Sequence, residues 1–482
     1  MAIKLKQLPP ISQDFSKWYV AVCRLAELSD YGVVRGTMVF RPYGYAIWKA
    51  VMQNLGKMIE ELGVQDAYFP MFIPYSLLQK EAEHVEGFAP EVAVVTHAGG
   101  EKLEEPLVVR PTSETIMYAH FKDWVKSYRD LPLLINQWCN VVRWEKRTFP
   151  FIRTSEFLWQ EGHTAHATRQ EAEEFTKKAL DMYHTFATQY GAIAGVKGYK
   201  TVGEKFAGAD YTTTIEVLLK SKKALQLCTS HMLGQNFSKP FEITYLDESN
   251  TQQYVWQTSW GLSTRFVGAI IGHHGDDLGL VLPPRLAPVQ VVIIPILGKE
   301  KSKSQILNQV DILKQMLGGS GIRVKVDTSP KGVGYKFSYW DIKGVPLRIE
   351  IGEKEAKEQK ITIYIRATRE KRTLVFNNHV HKEIQKLLDE VHSIMLNRSK
   401  AFMEENTTWV KNVEELEDLL HSKPTPGFIK VYFKDDTKVA KMLQDRYKIT
   451  PRVVPFDTYD QEGPDFVTGE KGGKVTLFAK AY

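Results

Sequence analysis

The chain is poor in the features that mark secreted and membrane-spanning proteins. Cysteine occurs three times in 482 residues, at Cys23, Cys139 and Cys228, too far apart for a C-x-x-C motif or a disulfide framework. We therefore expect a reducing, cytoplasmic location. The longest apolar run, residues 289–297, has strand length and falls short of the roughly 20 residues of a membrane span. The N-terminal segment shows no signal-peptide core, and we expect no membrane partner.

What remains is the composition of an ordinary globular protein. Hydrophobic residues make up 43% and charged residues 25%, and the net charge of +6 permits a polyanionic partner such as RNA without requiring one. At roughly 150 residues per domain, the length suggests about three domains. The pair Pro283-Pro284 punctuates the chain, and we predict domains at 1–283, 284–400 and 401–482.

The order of the predicted elements indicates an α+β multidomain protein. Short β-branched runs alternate with amphipathic helical patterns across residues 289–396, which is typical of a compact α/β domain. The last region combines a helical pattern at 409–422 with a strand at 429–433, which indicates a second, smaller α/β domain. We expect the core of this last domain to consist of Ile429, Val431, Phe433, Val453, Val454, Phe466, Val475, Leu477 and Phe478.

Residues 43–62 predict a helix that is apolar on two sides. Its apolar positions form two stripes, Ile47, Val51, Leu55, Met58 and Leu62 on one and Trp48, Met52 and Ile59 on the other. A helix of this kind is buried on two sides. It is either an internal core helix or a helix shared with a second subunit, and the latter interpretation predicts a two-fold homodimer interface.

Charged and aromatic residues concentrate between residues 110 and 163. Arg143 and Glu145 are two apart in a strand-like run and so point to one face, and Arg153, Phe157 and Glu161 follow a loop at intervals of four. Arginine forks bind phosphate oxygens in pairs, an aromatic face can stack on adenine, and a carboxylate can accept from its amino group. Each charge alone would be an ordinary surface ion pair, but the set predicts a nucleotide site.

This pattern, Arg143-x-Glu145, a loop and then Arg153-x-x-x-Phe157-x-x-x-Glu161, resembles motif 2 of the class II aminoacyl-tRNA synthetases. The helix at 43–62 followed by YFPMFIP is similar to motif 1, and SWGLSTRFVGAII at 259–271, with Arg265, is similar to motif 3. Further segments narrow the resemblance to the prolyl-tRNA synthetases of the archaeal/eukaryotic type, which carry an extra C-terminal domain: RPTSET, NQWCNVVRWE, EFLWQEGH, EKFAGADYTTTIE, TSHMLGQNFSK and GLVLPPRLAPVQVVIIP.

The resemblance implies a fold and a reaction. The fold is a class II antiparallel-sheet catalytic domain, an α/β anticodon-binding domain and a small α/β C-terminal domain, assembled as a homodimer. The reaction is the ATP-dependent ligation of L-proline to tRNA(Pro), with Mg²⁺, through a prolyl-adenylate. An anion then attacks a polyanion, so positioning and positive charge matter more than a covalent nucleophile.

By the same resemblance, Arg143 bridges the α-phosphate and the proline carboxylate, and with Arg265 it is catalytic. The expected ATP-binding residues are Arg143, Glu145, Arg153, Thr154, Phe157, Gln226, Thr229 and Arg265. The expected proline-binding residues are Thr112, Glu114, Arg143, Trp159, Glu161, His163, His231 and Trp260. Gln226 and Glu216 are the candidates for holding Mg²⁺, and the loop 204–210 is a candidate lid.

Alternative interpretations of these residues concern possible metal sites and other functions. Glu161, His163 and His166, or the cluster His273, His274, Asp276 and Asp277, have metal-ligating chemistry; packing and a solvated turn explain them as well. A non-catalytic, RNA-binding relative would lose a motif arginine, whereas all three are present here. Another class II synthetase, for threonine, glycine or histidine, fits the Thr112-x-Glu114 pairing less well.

The C-terminal region departs from the resembling family, whose members often carry a four-cysteine zinc site there. Residues 401–482 contain no cysteine and one histidine, His421, so we expect no zinc. About 100 residues separate motifs 2 and 3, which leaves no room for a large editing insertion. In that family the final residue is a tyrosine whose carboxylate reaches towards the catalytic domain, and we expect the same of Tyr482.

Overall fold

The computed structural model describes residues 8–80, 92–298 and 300–482. The prediction about a signal peptide concerns residues 1–10, of which 1–7 lie outside these ranges. The first region, up to residue 283, contains most of the helices that surround the main sheet. Its helices are α1 (Phe15–Leu25), α2 (Pro42–Glu61), α3 (Tyr75–Leu78), α4 (Glu114–Trp124), α5 (Arg169–Gln189) and α6 (Arg265–His274).

A long, mainly antiparallel sheet forms the centre of this region. Its strands from the first region run in the order β9-β10-β11-β14-β8-β7-β3. These strands are β3 (Gln65–Asp66), β7 (Leu133–Val142), β8 (Glu156–His166), β9 (Val196–Tyr199), β10 (Tyr211–Leu218), β11 (Ala224–Gly234) and β14 (Trp256–Ser263). In the part of this region that the structure describes, three small sheets lie outside it, formed by β1 (Ser29–Tyr31) and β2 (Met38–Phe40), by β4 (Phe72–Pro74), β5 (Ala93–Ala98) and β6 (Glu101–Val109), and by β12 (Thr244–Leu246) and β13 (Gln252–Tyr254).

The second region is a separate mixed sheet flanked by helices. Its strand order is β16-β15-β17-β18-β19, with β15 parallel to both of its neighbours. The elements are β15 (Val291–Pro295), α7 (Glu300–Gly319), β16 (Val324–Val326), α8 (Val333–Ile342), β17 (Leu347–Ile351), α9 (Glu353–Glu358), β18 (Lys360–Ile365), β19 (Lys371–Val375) and α10 (Val380–Glu405). The predicted α/β domain is thereby confirmed, although α10 runs past the predicted boundary at residue 400, and the boundaries stay a prediction.

The third region continues the main sheet instead of standing apart. Its strands follow the order β20-β21-β24-β22, and β22 pairs with β9 through Val454 opposite Tyr199. The elements are β20 (Thr407–Trp409), α11 (Val413–Ser422), β21 (Phe428–Phe433), α12 (Thr437–Tyr447), β22 (Thr450–Pro455), β23 (Glu462–Gly463) and β24 (Gly473–Ala479). All nine predicted core residues are buried, but Val453 and Leu477 pack against Leu218 and Ala224 of the first region.

Helix α2 shows how much of the predicted apolar surface the chain buries by itself. Ile47, Val51, Leu55, Trp48 and Ile59 are all at most 1% exposed and belong to the main hydrophobic core. The helix is confirmed, and both of its stripes already contact the chain's own core. The apolar pattern alone therefore gives no reason to require a second subunit. None of the helices that the structure describes is long and apolar enough to cross a membrane.

Candidate active site

A cavity of about 240 Å³ opens on one face of the main sheet, above strands β8, β11 and β14. Three segments that are distant in sequence meet there: the start of α4, the end of β7 and the start of α6. Most of the predicted ATP and proline residues line it: Thr112, Glu114, Arg143, Phe157, Trp159, Glu161, His163, Gln226, Thr229, His231, Trp260 and Arg265. Glu145, Arg153 and Thr154 line a small adjoining cavity that shares Arg143, Phe157 and Arg265.

Strand β8 provides the floor at one end of the cavity. Because side chains alternate along a strand, Trp159, Glu161 and His163 lie on one face, as their spacing predicts. Each pairs with a small residue of β14: Ser263 lies opposite Trp159, Gly261 opposite Glu161 and Ser259 opposite His163. Small partners leave room above these three side chains.

Glu161 is the centre of a buried hydrogen-bond network. It is 2% exposed and accepts from the Ser113 backbone N–H at 3.1 Å, from the Ser113 hydroxyl and from Gln137 Nε2 at 3.0 Å. His163 Nε2 lies 3.1 Å from Glu161 Oε2, and Tyr118 holds His163 Nδ1 at 3.1 Å. The side chain is thus fixed by its neighbours before any ligand arrives.

The charges of this network support one another. Burial raises the pKa of Glu161, but hydrogen bonds from His163, Ser113 and Gln137 outweigh it and hold the pKa below its usual value. Burial lowers the pKa of His163, yet the hydrogen bond to Glu161 and the negative field of Glu114 and Glu161 raise it overall. A carboxylate and an imidazolium are the forms that this environment favours.

Thr112 and Glu114 stand at the start of α4. Both are 2% exposed, and the Thr112 hydroxyl donates to Glu114 Oε2 at 2.5 Å. One ligand atom from each of Glu114, Glu161 and His163 lies within 4.8 Å of the others. This end of the cavity therefore offers two carboxylates and a hydroxyl as hydrogen-bond acceptors, walled by the Trp159 ring.

Strand β11 brings Gln226, Thr229 and His231 to the same face, although Gln226 and Thr229 are three residues apart. Residues at an odd spacing point to opposite faces of a regular strand. Here Cys228 pairs with Ile215 while Gln226 pairs with Glu216, so Leu227 forms a bulge that resets the alternation.

His231 lies between two hydroxyls and a ring. Its Nδ1 is 2.9 Å from Thr212 Oγ1, its Nε2 is 3.0 Å from Thr229 Oγ1, and the Phe206 ring lies 4.5 Å away. Burial, with the nearby charges of His163 and Arg143, lowers the pKa of His231 to about 3. His231 is therefore neutral at physiological pH, and its pKa is shifted in the opposite direction from that of His163.

The other end of the cavity carries the arginines. Arg143 follows the end of β7, where its Nε donates to the Pro111 carbonyl at 3.0 Å. Its guanidinium lies 5.5 Å from the Phe157 ring centre and 5.4 Å from that of Trp159, within range of a cation–π interaction. Arg143 thus stands between the two ends of the cavity.

Arg265 and Arg153 complete this positive end. Arg265 is the first residue of α6, and its Nε donates to the Ile152 carbonyl at 3.1 Å. Burial and the like charges of Arg143 and Arg153 lower its pKa to about 10, so it stays charged. Arg153 Nε lies 2.8 Å from Glu145 Oε1, a pair between two of the predicted ATP residues.

Two predicted site residues do not reach the ligand space with their side chains. Glu216 is fully buried and does not line either cavity. Lys200 Nζ lies 2.7 Å from it and Arg452 binds both of its oxygens at 3.1 Å. Because two cationic side chains already bind this carboxylate, Glu216 is not available as a magnesium ligand in this structure.

Trp260 is the second exception. It pairs with Gly162, so its indole points to the opposite face of the sheet, where it packs near Phe175 and Tyr183 of α5. Only its main chain borders the cavity. The register between β14 and β8 determines the face of the sheet on which the indole lies. This register cannot be predicted from the sequence of β14 alone.

The alternative metal clusters are not assembled as predicted. His166 lies on the opposite face of β8 from His163 and contacts Thr164 Oγ1 at 2.8 Å. In the second cluster the side chains have separate partners: His273 contacts the Leu218 carbonyl, His274 the Gly191 carbonyl, Asp276 the guanidinium groups of Arg366 and Arg369, and Asp277 the Ile11 N–H.

Sequence reasoning missed the residues that hold the site together. Ser113 and Gln137 fix Glu161, and Ser259 and Gly261 keep its surroundings open. Ser113 lies between the two predicted residues of RPTSE, which was a usable signal. Gln137 shares its strand face with Cys139, opposite Glu161, and only the strand pairing reveals that position.

Comparison with known proteins agrees with this geometry. Residues 96–274 match the family described as tRNA synthetase class II core domain (G, H, P, S and T), and residues 290–387 match the family described as anticodon binding domain. The main sheet and its cavity thus define the core of a class II aminoacyl-tRNA synthetase, and the predicted fold class is confirmed.

Relatives that match nearly the whole chain show which family within this class it belongs to. The chain is 47% identical over 99% of its length to the chloroplastic/mitochondrial proline–tRNA ligase of Arabidopsis thaliana, covering 88% of that protein. It is 47% identical over 99% of its length to the proline–tRNA ligase of Natranaerobius thermophilus, covering 98%, and 45% identical to that of Porphyromonas gingivalis, covering 100% of both chains. The chain belongs to the proline–tRNA ligase family. These relatives are bacterial and organellar and not specifically archaeal or eukaryotic.

Proposed function

We propose that the chain ligates L-proline to tRNA(Pro) with ATP in two steps, by way of a prolyl-adenylate. One observation carries the proposal: a single cavity joins a buried, compensated carboxylate pocket to an arginine-rich end, with Arg143 between them. An amino acid has an ammonium for the first end and a carboxylate for the second. Family membership supplies proline as the amino acid.

In the first step the proline carboxylate attacks the α-phosphate and pyrophosphate leaves. Arg143 neutralises the two anions as they approach, and Arg265 and Arg153 take the charge of the outer phosphates. Such groups act by position and field, because the reaction needs no covalent nucleophile. Adenine would lie against Phe157, with Glu145 and the Thr154 main chain at its edge.

Proline binding follows from the buried end. A secondary ammonium needs acceptors, which Thr112, Glu114 and Glu161 offer, and its ring needs an apolar wall, which Trp159 offers. Neutral His231 adds no second positive charge beside the ammonium. Glu204 and Phe206 border the cavity from the loop 204–210, which supports a lid role for that loop.

The phosphate end also suits a magnesium ion that arrives with ATP. Gln226 and Thr229 face it with neutral oxygens, and such a set holds Mg²⁺ only together with phosphate oxygens. When bound, the ion would neutralise and orient those phosphates. We propose Gln226 as the protein ligand, without Glu216.

The remaining regions support the rest of the ligation. We propose that the domains are 1–283, 284–400 and 401–482, that 284–400 reads the anticodon, and that the plan is that of the archaeal/eukaryotic type. On the surface of residues 284–400, Lys331 Nζ lies 5.7 Å from the Tyr335 ring centre, and aromatic and cationic side chains of this kind suit unpaired bases.

We propose a cytoplasmic homodimer that needs no zinc. The apolar residues that α2 and the hairpin of β1 and β2 leave exposed support a subunit contact, with Tyr31 at 71% and Val39 at 51%. The zinc proposal rests on the absence of cysteine from residues 401–482. Metal analysis of the purified chain tests it, and stoichiometric zinc would contradict it.

The test of function is ATP–pyrophosphate exchange with each of the twenty amino acids, followed by charging of tRNA(Pro). We expect efficient exchange with proline alone. Exchange with threonine, glycine or histidine would identify a different ligase, and no exchange in a folded, ATP-binding protein would indicate a non-catalytic RNA-binding relative.

A further inference from the structure

The buried carboxylate of Glu216 lies beside the phosphate end of the cavity and is neutralised by a distant part of the chain. Its partner across the sheet is Gln226, which faces the cavity. Lys200 of the first region supplies one cation, and Arg452 of β22 supplies the other through Nε and Nη2, both at 3.1 Å. Arg452 is 236 residues away in sequence.

Several contacts between the first and third regions place Arg452 beside Glu216. Strand β22 joins β9 edge to edge, which extends the sheet above which the cavity opens. The Ala224 N–H, two residues before Gln226, donates to the Lys480 carbonyl at 2.8 Å. Val453, the neighbour of Arg452, packs with Leu218 and Leu477 in an apolar cluster shared by the two regions. The third region is thus built into the strands that carry Gln226.

The hydrogen bonds explain why this arrangement matters. Lys200 alone balances the charge of Glu216, but without Arg452 the Glu216 Oε2 loses its Nε donor, and a buried carboxylate oxygen left without a donor favours contact with another one from nearby. The donor at risk is Arg265, whose Nη1 donates at 3.4 Å to the carbonyl of Gln226, the residue paired with Glu216 across the sheet. An Arg265 drawn towards Glu216 would be withdrawn from the phosphates.

We propose that Arg452 is a positioning residue for ATP: it holds Glu216, so that Gln226 and Arg265 remain directed at the cavity. The proposal rests on the function proposed above. It makes the third region part of the ATP site, although none of its described residues lines the main cavity.

The experiment uses full-length variants in proline-dependent ATP–pyrophosphate exchange. We expect Arg452→Met to raise the KM for ATP on the order of tenfold while leaving the KM for proline unchanged, because a lost pair of this kind couples sites by about a factor of ten. Arg452→Lys keeps the charge but loses the paired guanidinium donors, so it should raise the KM for ATP less. Adding Glu216→Gln to Arg452→Met should restore ATP affinity in part.

The matched control is Arg446→Met, the same substitution in the same region at an exposed pair with Glu417; it should leave both constants unchanged. Equal rises in the two KM values, or a double variant no better than Arg452→Met, would show a merely structural role and overturn the proposal. So would an unchanged ATP KM in a folded Arg452→Met variant.

A direct measurement of ATP binding separates this inference from the proposed function. If the wild-type chain gives no exchange with proline, the proposed function fails. Calorimetric ATP affinity of the wild-type and Arg452 variants still decides the positioning role, since an unchanged affinity contradicts it and a weakened affinity, restored by Glu216→Gln, supports it.

Discussion

The two ends of the cavity solve opposite problems. At the carboxylate end Thr112, Glu114, Glu161 and His163 are each at most 2% exposed. They hold one another by short contacts between side chains. At the arginine end Arg143 and Arg265 are half-buried and donate to main-chain carbonyls, while the Arg153 side chain is 47% exposed.

The difference in burial and charge indicates what each end of the cavity can do. A buried network whose members hold hydrogen bonds to one another is rigid, and it fixes a small ligand by shape and hydrogen bonds. An excess of positive charge does not compensate itself, so it attracts a polyanion and must remain partly open to water. This difference supports the proposal that the first end selects the amino acid and the second activates the phosphate.

The largest expected effect comes from breaking the link between the ends. Arg143→Ala removes the guanidinium that lies between both ends, and loss of a charge that stabilises the transition state costs about 3–4 kcal/mol, or roughly 10²–10³ in rate. Pyrophosphate exchange measures this loss, and circular dichroism reports the fold. Arg129→Ala, at an exposed arginine outside the cavity, is the control. Exchange near the wild-type rate in a folded Arg143 variant would contradict the assignment.

A smaller and more selective effect should follow from Glu161→Gln. The amide keeps the size of the side chain but loses the charge that the network holds, and a hydrogen bond to a charged group is worth about 1.5–3 kcal/mol. We expect kcat/KM for proline to fall about 10- to 100-fold, with the KM for ATP unchanged. Glu156→Gln, on the exposed start of the same strand, is the matched control. Equal losses for both substrates would mean that the ends are not independent.

The same contrast shows what the sequence could and could not predict. The common face of Trp159, Glu161 and His163 follows from strand alternation alone, and Arg265 at the start of a helix follows from the apolar run after it. The common face of Gln226 and Thr229 does not, because a bulge at Leu227 reverses the alternation.

Long-range partners account for the other misses. Glu216 has the chemistry of a metal ligand, and Lys200 together with Arg452, far along the chain, removes it from that role. Trp260 has the chemistry of a pocket wall, and the register of β14 against β8 turns it away. Local patterns specify which face a side chain shares with its neighbours, whereas the direction of that face depends on tertiary pairing.

A further prediction concerns the loop that precedes Arg153. The ring of Tyr482 lies 5.7 Å from Phe149 in that loop and 6.1 Å from Phe15, and its hydroxyl contacts Ser221 at 2.9 Å. An aromatic pair contributes about 0.5–1.5 kcal/mol, so deletion of Tyr482 should slow proline activation about two- to tenfold. Tyr482→Phe keeps the ring and should stay close to wild type. If the deletion variant activates proline at the wild-type rate, Tyr482 does not support the active site.

The smallest effect sharpens the contrast between two histidines of the cavity. The folded state raises the pKa of His163, so its stabilising contribution is full below the ordinary value of 6.5 and is lost as pH rises through the raised value. The folded state lowers the pKa of His231 to about 3. His231 therefore costs stability as pH falls below 6.5, by about 1 kcal/mol per unit.

The two asparagine variants should consequently respond to pH in opposite directions. Between about pH 8 and pH 5.5, His163→Asn should lose more stability relative to wild type as the solution becomes more acidic, because it lacks the proton that Glu161 and Glu114 hold. His231→Asn should lose less, because it no longer carries a buried imidazole that resists protonation. Urea unfolding of both variants at the two pH values measures the difference. Parallel shifts would mean that the carboxylates do not distinguish the two rings, and the proposed division of charge within the cavity would then be wrong.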